Sequence, residues 1–179
     1  VDLTGAEIEL VNRESREKVM KQALTGIDEY EFVIIDCPPS LGLLTLNALA
    51  VSNSVLIPMQ CEYYALQGLS HLLKTLKLVK KSINPDLKVE GILLTMFDGR
   101  TLLATQVKDQ VQKYFSDFLL KSIIPRNVRL SEAPSHGKPI MLYAGRSRGA
   151  DSYVELAKEI ISRSKSDVRP KTSLTGSAA

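Results

Sequence analysis

The chain has 179 residues, of which 44% are hydrophobic and 24% charged, and its formal net charge is +3. This size predicts one domain with a core, and the absence of a long apolar run or leading signal peptide argues for a cytoplasmic protein with no membrane partner. The two cysteines, Cys37 and Cys61, lack metal-ligand spacing, which favours reduced thiols over a disulfide or a zinc site.

Segments whose apolar residues are spaced as in helices alternate along the chain with segments spaced as in strands. An amphipathic helix is predicted at the start from apolar residues between Ile8 and Leu24, before a strand at 31–36, a helix near 41–50 and a strand near 54–59. Further elements are predicted at 65–82 (helix), 89–96 (strand), 102–115 (helix), 118–124 (strand), 125–149 (loop) and 150–162 (helix). This alternation predicts a doubly wound, mostly parallel α/β sheet flanked by helices.

Two segments differ in composition from the rest. The helix at 65–82 places leucines and Val79 on one side and Lys74, Lys77 and Lys81 on the other, so these lysines are most simply a solvated face. Residues 162–179 are rich in Ser, Lys and Arg, so we expect a domain at 1–161 followed by a disordered basic and polar tail.

The run Phe32-Val33-Ile34-Ile35-Asp36-Cys37-Pro38-Pro39-Ser40 carries the strongest local signal. Its apolar part predicts a buried parallel strand with Asp36 at the carboxyl end, where open α/β sheets bind ligands. A carboxylate there can hold hydrated Mg²⁺ beside a nucleotide phosphate. Pro38 and Pro39 each fix a φ angle and lack an N–H donor, so a shaped loop must follow. In isolation, Asp36 could equally begin an ordinary turn.

Charge is distributed unevenly along the chain. Residues 1–120 hold 12 basic and 15 acidic side chains, whereas residues 121–179 hold 11 basic and 5 acidic ones. The basic surplus suggests a surface for a polyanion, although a basic tail alone often has no partner.

Three motifs together resemble one protein family. They are Asp36-Cys37-Pro38-Pro39-Ser40-Leu41-Gly42, Gln60-Cys61-Glu62-Tyr63-Tyr64-Ala65-Leu66, and the run from Ile124 to Ser135 that reads IPRNVRLSEAPS. The chain closely resembles the ParA/Soj chromosome-partitioning ATPases of the ParA/MinD class of P-loop proteins, from about Leu3 to Ile161. It departs from the family because no G-x-x-x-x-G-K-[ST] phosphate loop occurs in it. The resemblance therefore implies a P-loop fold that is incomplete at the amino terminus. The chain would correspond to the carboxyl-terminal two-thirds of such an ATPase domain.

The resemblance also implies roles at several positions. Asp36 would be catalytic by orienting the hydration shell of Mg²⁺, and Pro38 and Pro39 would shape a switch loop. Met96, Pro125 and Asn127 would line the adenine pocket; Asn127 offers an amide donor and acceptor, while the alternative makes it a turn residue. Arg100 and Arg129 would grip DNA without reading bases, whereas solvated surface arginines are the common alternative.

The implied function is an ATP-driven, nucleoid-associated switch in chromosome or plasmid segregation. ATP and Mg²⁺ would join two copies into a homodimer, the dimer would bind nonspecific DNA, and a ParB-type partner would trigger hydrolysis. Without the phosphate loop and the water-positioning aspartate of the family, the chain alone is not expected to hydrolyse ATP well. The alternative is a nonenzymatic truncated paralogue or fragment that binds DNA or a partner protein. A MinD-like membrane ATPase is disfavoured because a polar tail follows the last helix.

Overall fold

A computed structural model describes residues 3–27 and 29–167, which form helices around a short sheet. The helices are α1 (Leu3–Val11), α2 (Val19–Ala23), α3 (Leu43–Val51), α4 (Ala65–Ser82), α5 (Leu102–Phe115), α6 (Val128–Glu132), α7 (Ile140–Ala144) and α8 (Arg148–Asp167). The strands are β1 (Ser54–Gln60), β2 (Lys88–Phe97) and β3 (Leu119–Pro125), and single 3₁₀ turns lie at Arg16–Lys18 and Ala133–His136.

These elements fall into two compact units. The first unit comprises Val1–Ile57 and Leu66–Glu90, and the second comprises Pro58–Ala65 and Gly91–Ala179. β1 and β2 contribute residues to both units, so the domain expected over residues 1–161 consists of two parts.

The strands form one sheet in the order β1-β2-β3, and β2 runs parallel to β3. Four consecutive residues of β2, from Gly91 to Leu94, are buried. Since neighbouring side chains of a strand point to opposite faces, both faces of β2 must be covered. The predicted α/β class, a parallel sheet flanked by helices, is therefore confirmed.

β3 contains an irregularity that α8 compensates. Ile92 pairs with Leu119 and Leu94 with Ile123, so β3 advances four residues while β2 advances two. Such a bulge leaves backbone N–H groups without ladder partners. The Glu159 carboxylate accepts hydrogen bonds from the backbone N–H of Lys121 at 2.9 Å and of Ser122 at 2.8 Å. One side chain of α8 thus satisfies the amides that the bulge releases.

The core of the second unit lies where α8 packs on the sheet. Its buried members are Leu93, Leu120, Ile124 and Leu156, with Leu130 and Ile160 packed against them. Gly149 permits close approach, because a Cβ there would lie only 2.7 Å from Leu130 Cγ. This packing fixes β3 and the loop after it, where several of the predicted site residues lie.

The predicted elements from 41 to 124 are confirmed with small shifts at their ends. On α4, Leu69, Leu76 and Val79 are buried while Lys74 and Lys77 are exposed, as the helical spacing predicts. No helix in the described residues is long and apolar enough to cross a membrane.

The strand predicted at 31–36 is absent from the structure. Strands are stabilised by ladders with a neighbour, and this segment joins none of the three described strands. Phe32 and Val33 are each 48% exposed and Ile34 is 92% exposed. Asp36 therefore does not end a strand, contrary to the prediction.

Three helix boundaries also differ from the prediction. The single opening helix is interrupted near Ser15, whose φ of 52° lies in the left-handed region and cannot continue a right-handed helix. The loop at 125–149 contains α6, α7 and a 3₁₀ turn. Helix α8 continues to Asp167, so residues 162–167 of the expected tail are helical; the remainder, 168–179, lies outside the described residues.

Candidate functional site

The second unit contains a cavity of about 340 Å³ at the carboxyl ends of the three strands. Its walls come from the last residues of β1 and β2, from the segments that directly follow the three strands, and from the first turn of α5. The lining residues are Gln60, Cys61, Glu62, Met96, Asp98, Thr101, Ala104 and Arg126. Ligands of open α/β sheets bind at this edge, and the volume falls in the range of small-molecule sites.

Met96 is the one predicted adenine-pocket residue that lines this cavity. Its φ of 49° places it in the left-handed region, which costs a residue with a side chain roughly 1–2 kcal/mol. The surrounding ladder holds it there, because Phe97 pairs with Pro125 and the Phe97 carbonyl accepts from the Arg126 N–H at 3.0 Å. The Met96 side chain, 41% exposed, gives the cavity an apolar surface.

Pro125 and Asn127 flank the lining residue Arg126 but do not line the cavity themselves. Asn127 precedes α6, and its side-chain oxygen accepts from the Arg129 N–H at 2.9 Å as a helix N-cap. That oxygen is therefore engaged locally, in the N-cap of α6.

Arg100 lies in the loop between β2 and α5 and is paired with Asp98. Its Nε and terminal nitrogen donate to the Asp98 carboxylate at 2.8 and 2.7 Å, and its backbone N–H donates at 3.1 Å. These bonds hold the pKa of Asp98 well below its usual range, with a smaller contribution from nearby Arg126. Arg100 is nonetheless 89% exposed, against 20% for Asp98.

Arg129 on α6 is paired in a similar manner. Its guanidinium donates to Glu132 at 2.9 Å, and the same carboxylate oxygen accepts from the Tyr143 hydroxyl at 3.0 Å. The hydrogen bonds from Tyr143 and Arg129 lower the pKa of Glu132. His136 stacks on Tyr143 with the ring centroids 4.8 Å apart, so the loop after β3 is internally organised.

Asp36, Pro38 and Pro39 belong to the first unit and are exposed. Among the described residues, no group of three or more His, Cys, Asp or Glu could hold a metal ion. Mg²⁺ beside a nucleotide needs only one or two carboxylates, since phosphates and waters complete its shell. Asp36 is an exposed carboxylate, the type of group that such a water-mediated role needs.

The sequence analysis missed Asp98 and Arg126 as cavity residues and missed both carboxylate partners of the arginines. A positional signal could have found the first two, because Asp98 directly follows β2 and Arg126 directly follows β3. Cys61 directly follows β1 and is buried in the cavity wall; burial raises the pKa of its thiol and nearby Lys108 opposes that shift.

Comparison with known proteins finds relatives over most of the chain. A family model described as an AAA domain matches residues 1–89. The chain is 63% identical over 161 residues to the sporulation initiation inhibitor protein Soj of Bacillus subtilis (strain 168), covering 89% of this chain and 64% of the relative. It is 60% identical over 163 residues to the chromosome partitioning protein ParA of Myxococcus xanthus (strain DK1622), covering 90% and 58%.

A solved structure shares the fold. The cobyrinic acid a,c-diamide synthase of Mycobacterium smegmatis, with bound ADP and magnesium, matches with a TM-score of 0.75 and 38% identity over 93% of this chain and 61% of that protein. The chain thus spans about three-fifths of the length of the proteins that it matches.

Proposed function

Since the chain belongs to the ParA/Soj family of chromosome-partitioning ATPases, we propose that it forms the carboxyl-terminal two-thirds of an ATP-dependent DNA-binding switch. The observation that carries this proposal is one compact unit that combines a cavity at the strand ends with two exposed arginines, Arg100 and Arg129. A nucleotide site and a phosphate-binding surface are the two features that such a switch needs.

For the nucleotide, we assign the base to the cavity that Met96 lines, with Pro125 and the Asn127 amide at its border. The solved relative with bound ADP and magnesium supports nucleotide binding by this fold in general. By family relatedness alone, Asp36 of the first unit would orient the waters of a Mg²⁺ ion, and Pro38 and Pro39 would shape the loop that follows. Bound Mg²⁺ supplies charge neutralisation at the phosphates.

For DNA, Arg100 and Arg129 contact phosphates of any sequence. Arginines without a base-reading helix suit this role, because phosphate contact requires charge and reach alone. A nucleotide-joined homodimer presents two such surfaces and gains effective concentration on one duplex. A ParB-type partner then triggers hydrolysis and release, and the protein works in the cytoplasm on the nucleoid, in chromosome or plasmid segregation.

The DNA role is tested by a salt titration of DNA affinity with ATP. The protein is completed for this purpose by the amino-terminal segment of the Bacillus subtilis Soj relative. Arg100→Ala and Arg129→Ala should each weaken binding similarly for all sequences and reduce the log–log salt slope by about one unit. Lys74→Ala combined with Lys77→Ala on α4 is the control. If that control loses DNA affinity while the two arginine variants keep theirs, DNA binds to another face of the protein.

Turnover is tested separately. The 179 residues contain no phosphate loop, and phosphoryl transfer depends on such a cradle. The chain alone should therefore show no measurable ATP hydrolysis, whereas the completed protein should show hydrolysis that Asp36→Ala abolishes. Hydrolysis by the chain alone at a rate near that of a full-length relative, sensitive to Asp36→Ala, would contradict this expectation.

The basic surplus of residues 121–179, with 11 basic and 5 acidic side chains, suits a second candidate function, in which the chain binds DNA or a partner protein without turnover. DNA affinity separates the two candidates. Nucleotide-dependent affinity in the completed protein supports the switch, while equal affinity of the same completed protein with and without ATP supports the nonenzymatic alternative.

A further inference from the structure

Both arginines proposed to contact DNA are already occupied by carboxylates of the same unit. Asp98 accepts two side-chain hydrogen bonds from Arg100, and Glu132 accepts one from Arg129. In each pair the guanidinium is more exposed than the carboxylate: 89% against 20%, and 59% against 37%. A phosphate approaching from solvent therefore meets the arginine first, with the carboxylate behind it.

Each carboxylate is also held by a contact that does not involve the guanidinium. Asp98 accepts from the backbone N–H of Arg100 at 3.1 Å, and Glu132 accepts from the Tyr143 hydroxyl at 3.0 Å. When an arginine turns towards a phosphate, its carboxylate stays in place. It remains available for the arginine to return to, and its charge repels the phosphate.

We infer that Asp98 and Glu132 set the DNA affinity of this unit by competing with phosphate for Arg100 and Arg129. This inference rests on the proposed DNA-binding function. Binding exchanges one charge-assisted hydrogen bond for another, so each arginine contributes less than an unpaired one would. Because exposed ion pairs are individually weak, the competition reduces affinity only modestly for each pair. The result is a surface that binds DNA weakly and releases it readily.

The test measures the affinity of the completed protein, with ATP, for short duplex DNAs of two unrelated sequences at low salt. Asp98→Asn and Glu132→Gln remove the charge but keep an acceptor for the Arg100 N–H and the Tyr143 hydroxyl. Each should tighten binding roughly two- to fivefold for both sequences.

A matched control separates competition from net charge. Glu155 forms an exposed ion pair with Lys158 at 2.8 Å on α8, with neither of the two arginines involved. Glu155→Gln makes the same change in net charge as the test variants, and should alter affinity less than either of them.

A double-mutant cycle supplies the second readout. In an Arg100→Ala background, Asp98→Asn should lose its advantage and match Glu155→Gln, because the competition acts through Arg100. If Asp98→Asn raised the DNA affinity equally with and without Arg100, the inference would be wrong. Weaker DNA binding by Asp98→Asn would also contradict it, because the carboxylate would then orient the arginine for DNA.

The failures of the two proposals are distinguishable. If Arg100→Ala weakens binding while Asp98→Asn and Glu132→Gln behave like the control, the DNA role stands and the competition is wrong. If neither the original completed protein nor any variant of it binds DNA at low salt with ATP, both proposals are wrong.

Discussion

Asn47 shows how much structure one buried side chain can support. It is 2% exposed, and its amide nitrogen donates to the carbonyls of Arg16 at 2.7 Å and Leu43 at 2.9 Å. Its oxygen accepts from the Met20 N–H at 3.0 Å. One asparagine thereby joins the 3₁₀ turn, α2 and α3 within the first unit, where the opening helix is broken.

Replacing Asn47 by alanine should destabilise the fold by about 2–4 kcal/mol. The change removes three hydrogen bonds and leaves the Met20 N–H without its partner in a partly buried position. Urea unfolding followed by circular dichroism measures the loss. Asn53→Ala, at an exposed asparagine, is the matched control. A loss within about 0.5 kcal/mol of that control would show that other groups satisfy these atoms.

The site residues were only partly predictable at this scale. The resemblance supplied Met96, Asn127, Arg100 and Arg129, and the exposure of both arginines agrees with a binding role. The side-chain pairings were not predictable, because they depend on loop and helix geometry that composition and period do not encode. The N-cap role of Asn127 was likewise hidden, since α6 has only five residues and gives almost no periodic signal.

Elements were predicted well where the local pattern agrees with the tertiary packing. Helix α4 carries a clear apolar stripe, and β2 has the continuous apolar run of a strand covered on both faces. The segment at 31–36 has the same apolar character but lacks a neighbouring strand in the described part of the chain. A strand depends on its partner in a way that a helix does not, so sequence pattern alone could not decide this case.

The contact between α8 and β3 gives a pH-dependent prediction. Burial opposes ionisation of Glu159, but hydrogen bonds from Ser122 and Lys121 outweigh it and lower the pKa of this carboxyl below its ordinary value of 4.5. A group with a lowered folded-state pKa stabilises the protein above its unfolded-state pKa, and this contribution is lost as the pH falls through the folded-state value.

Glu159→Gln should therefore cost about 1–2 kcal/mol at neutral pH. The difference from the original chain should shrink as the pH falls from about 4.5, where the unfolded chain takes up the proton, and should be smallest below the lower folded-state pKa, where the folded carboxyl is protonated as well. Unfolding by urea at several pH values measures both effects, with Glu155→Gln as the exposed control on the same helix. Parallel pH profiles for the two variants would refute a special role for Glu159.

At the scale of the whole molecule, exposed apolar surface is the feature that most favours self-association. Phe32, Val33 and Ile34 form an exposed run in the first unit. In the second unit Tyr63 and Tyr64 are 75% and 73% exposed and contact each other edge to face. Runs of this kind favour association with other apolar surfaces or strands.

The isolated chain should accordingly associate as its concentration rises and should bind a dye that reports apolar surface. Ile34→Asn should reduce both signals, because Ile34 is 92% exposed and contributes most to the run. Light scattering and dye fluorescence provide the measurements, and Leu78→Asn, at an isolated exposed leucine of α4, is the control. A monodisperse monomer with a cooperative melt and no bound dye would contradict this prediction.

The bond between Glu159 and the bulge of β3 also bears on synthesis of the protein. Glu159 lies 38 residues after Lys121 and 37 after Ser122. Because a nascent chain emerges from its amino terminus, β3 is made well before the carboxylate that satisfies its amides. The strand therefore cannot reach its final hydrogen bonding during elongation until α8 has been made. A stop codon before residue 159 would remove the carboxylate that both amides bond to, so the shortest chain that forms these two hydrogen bonds must extend into the second half of α8.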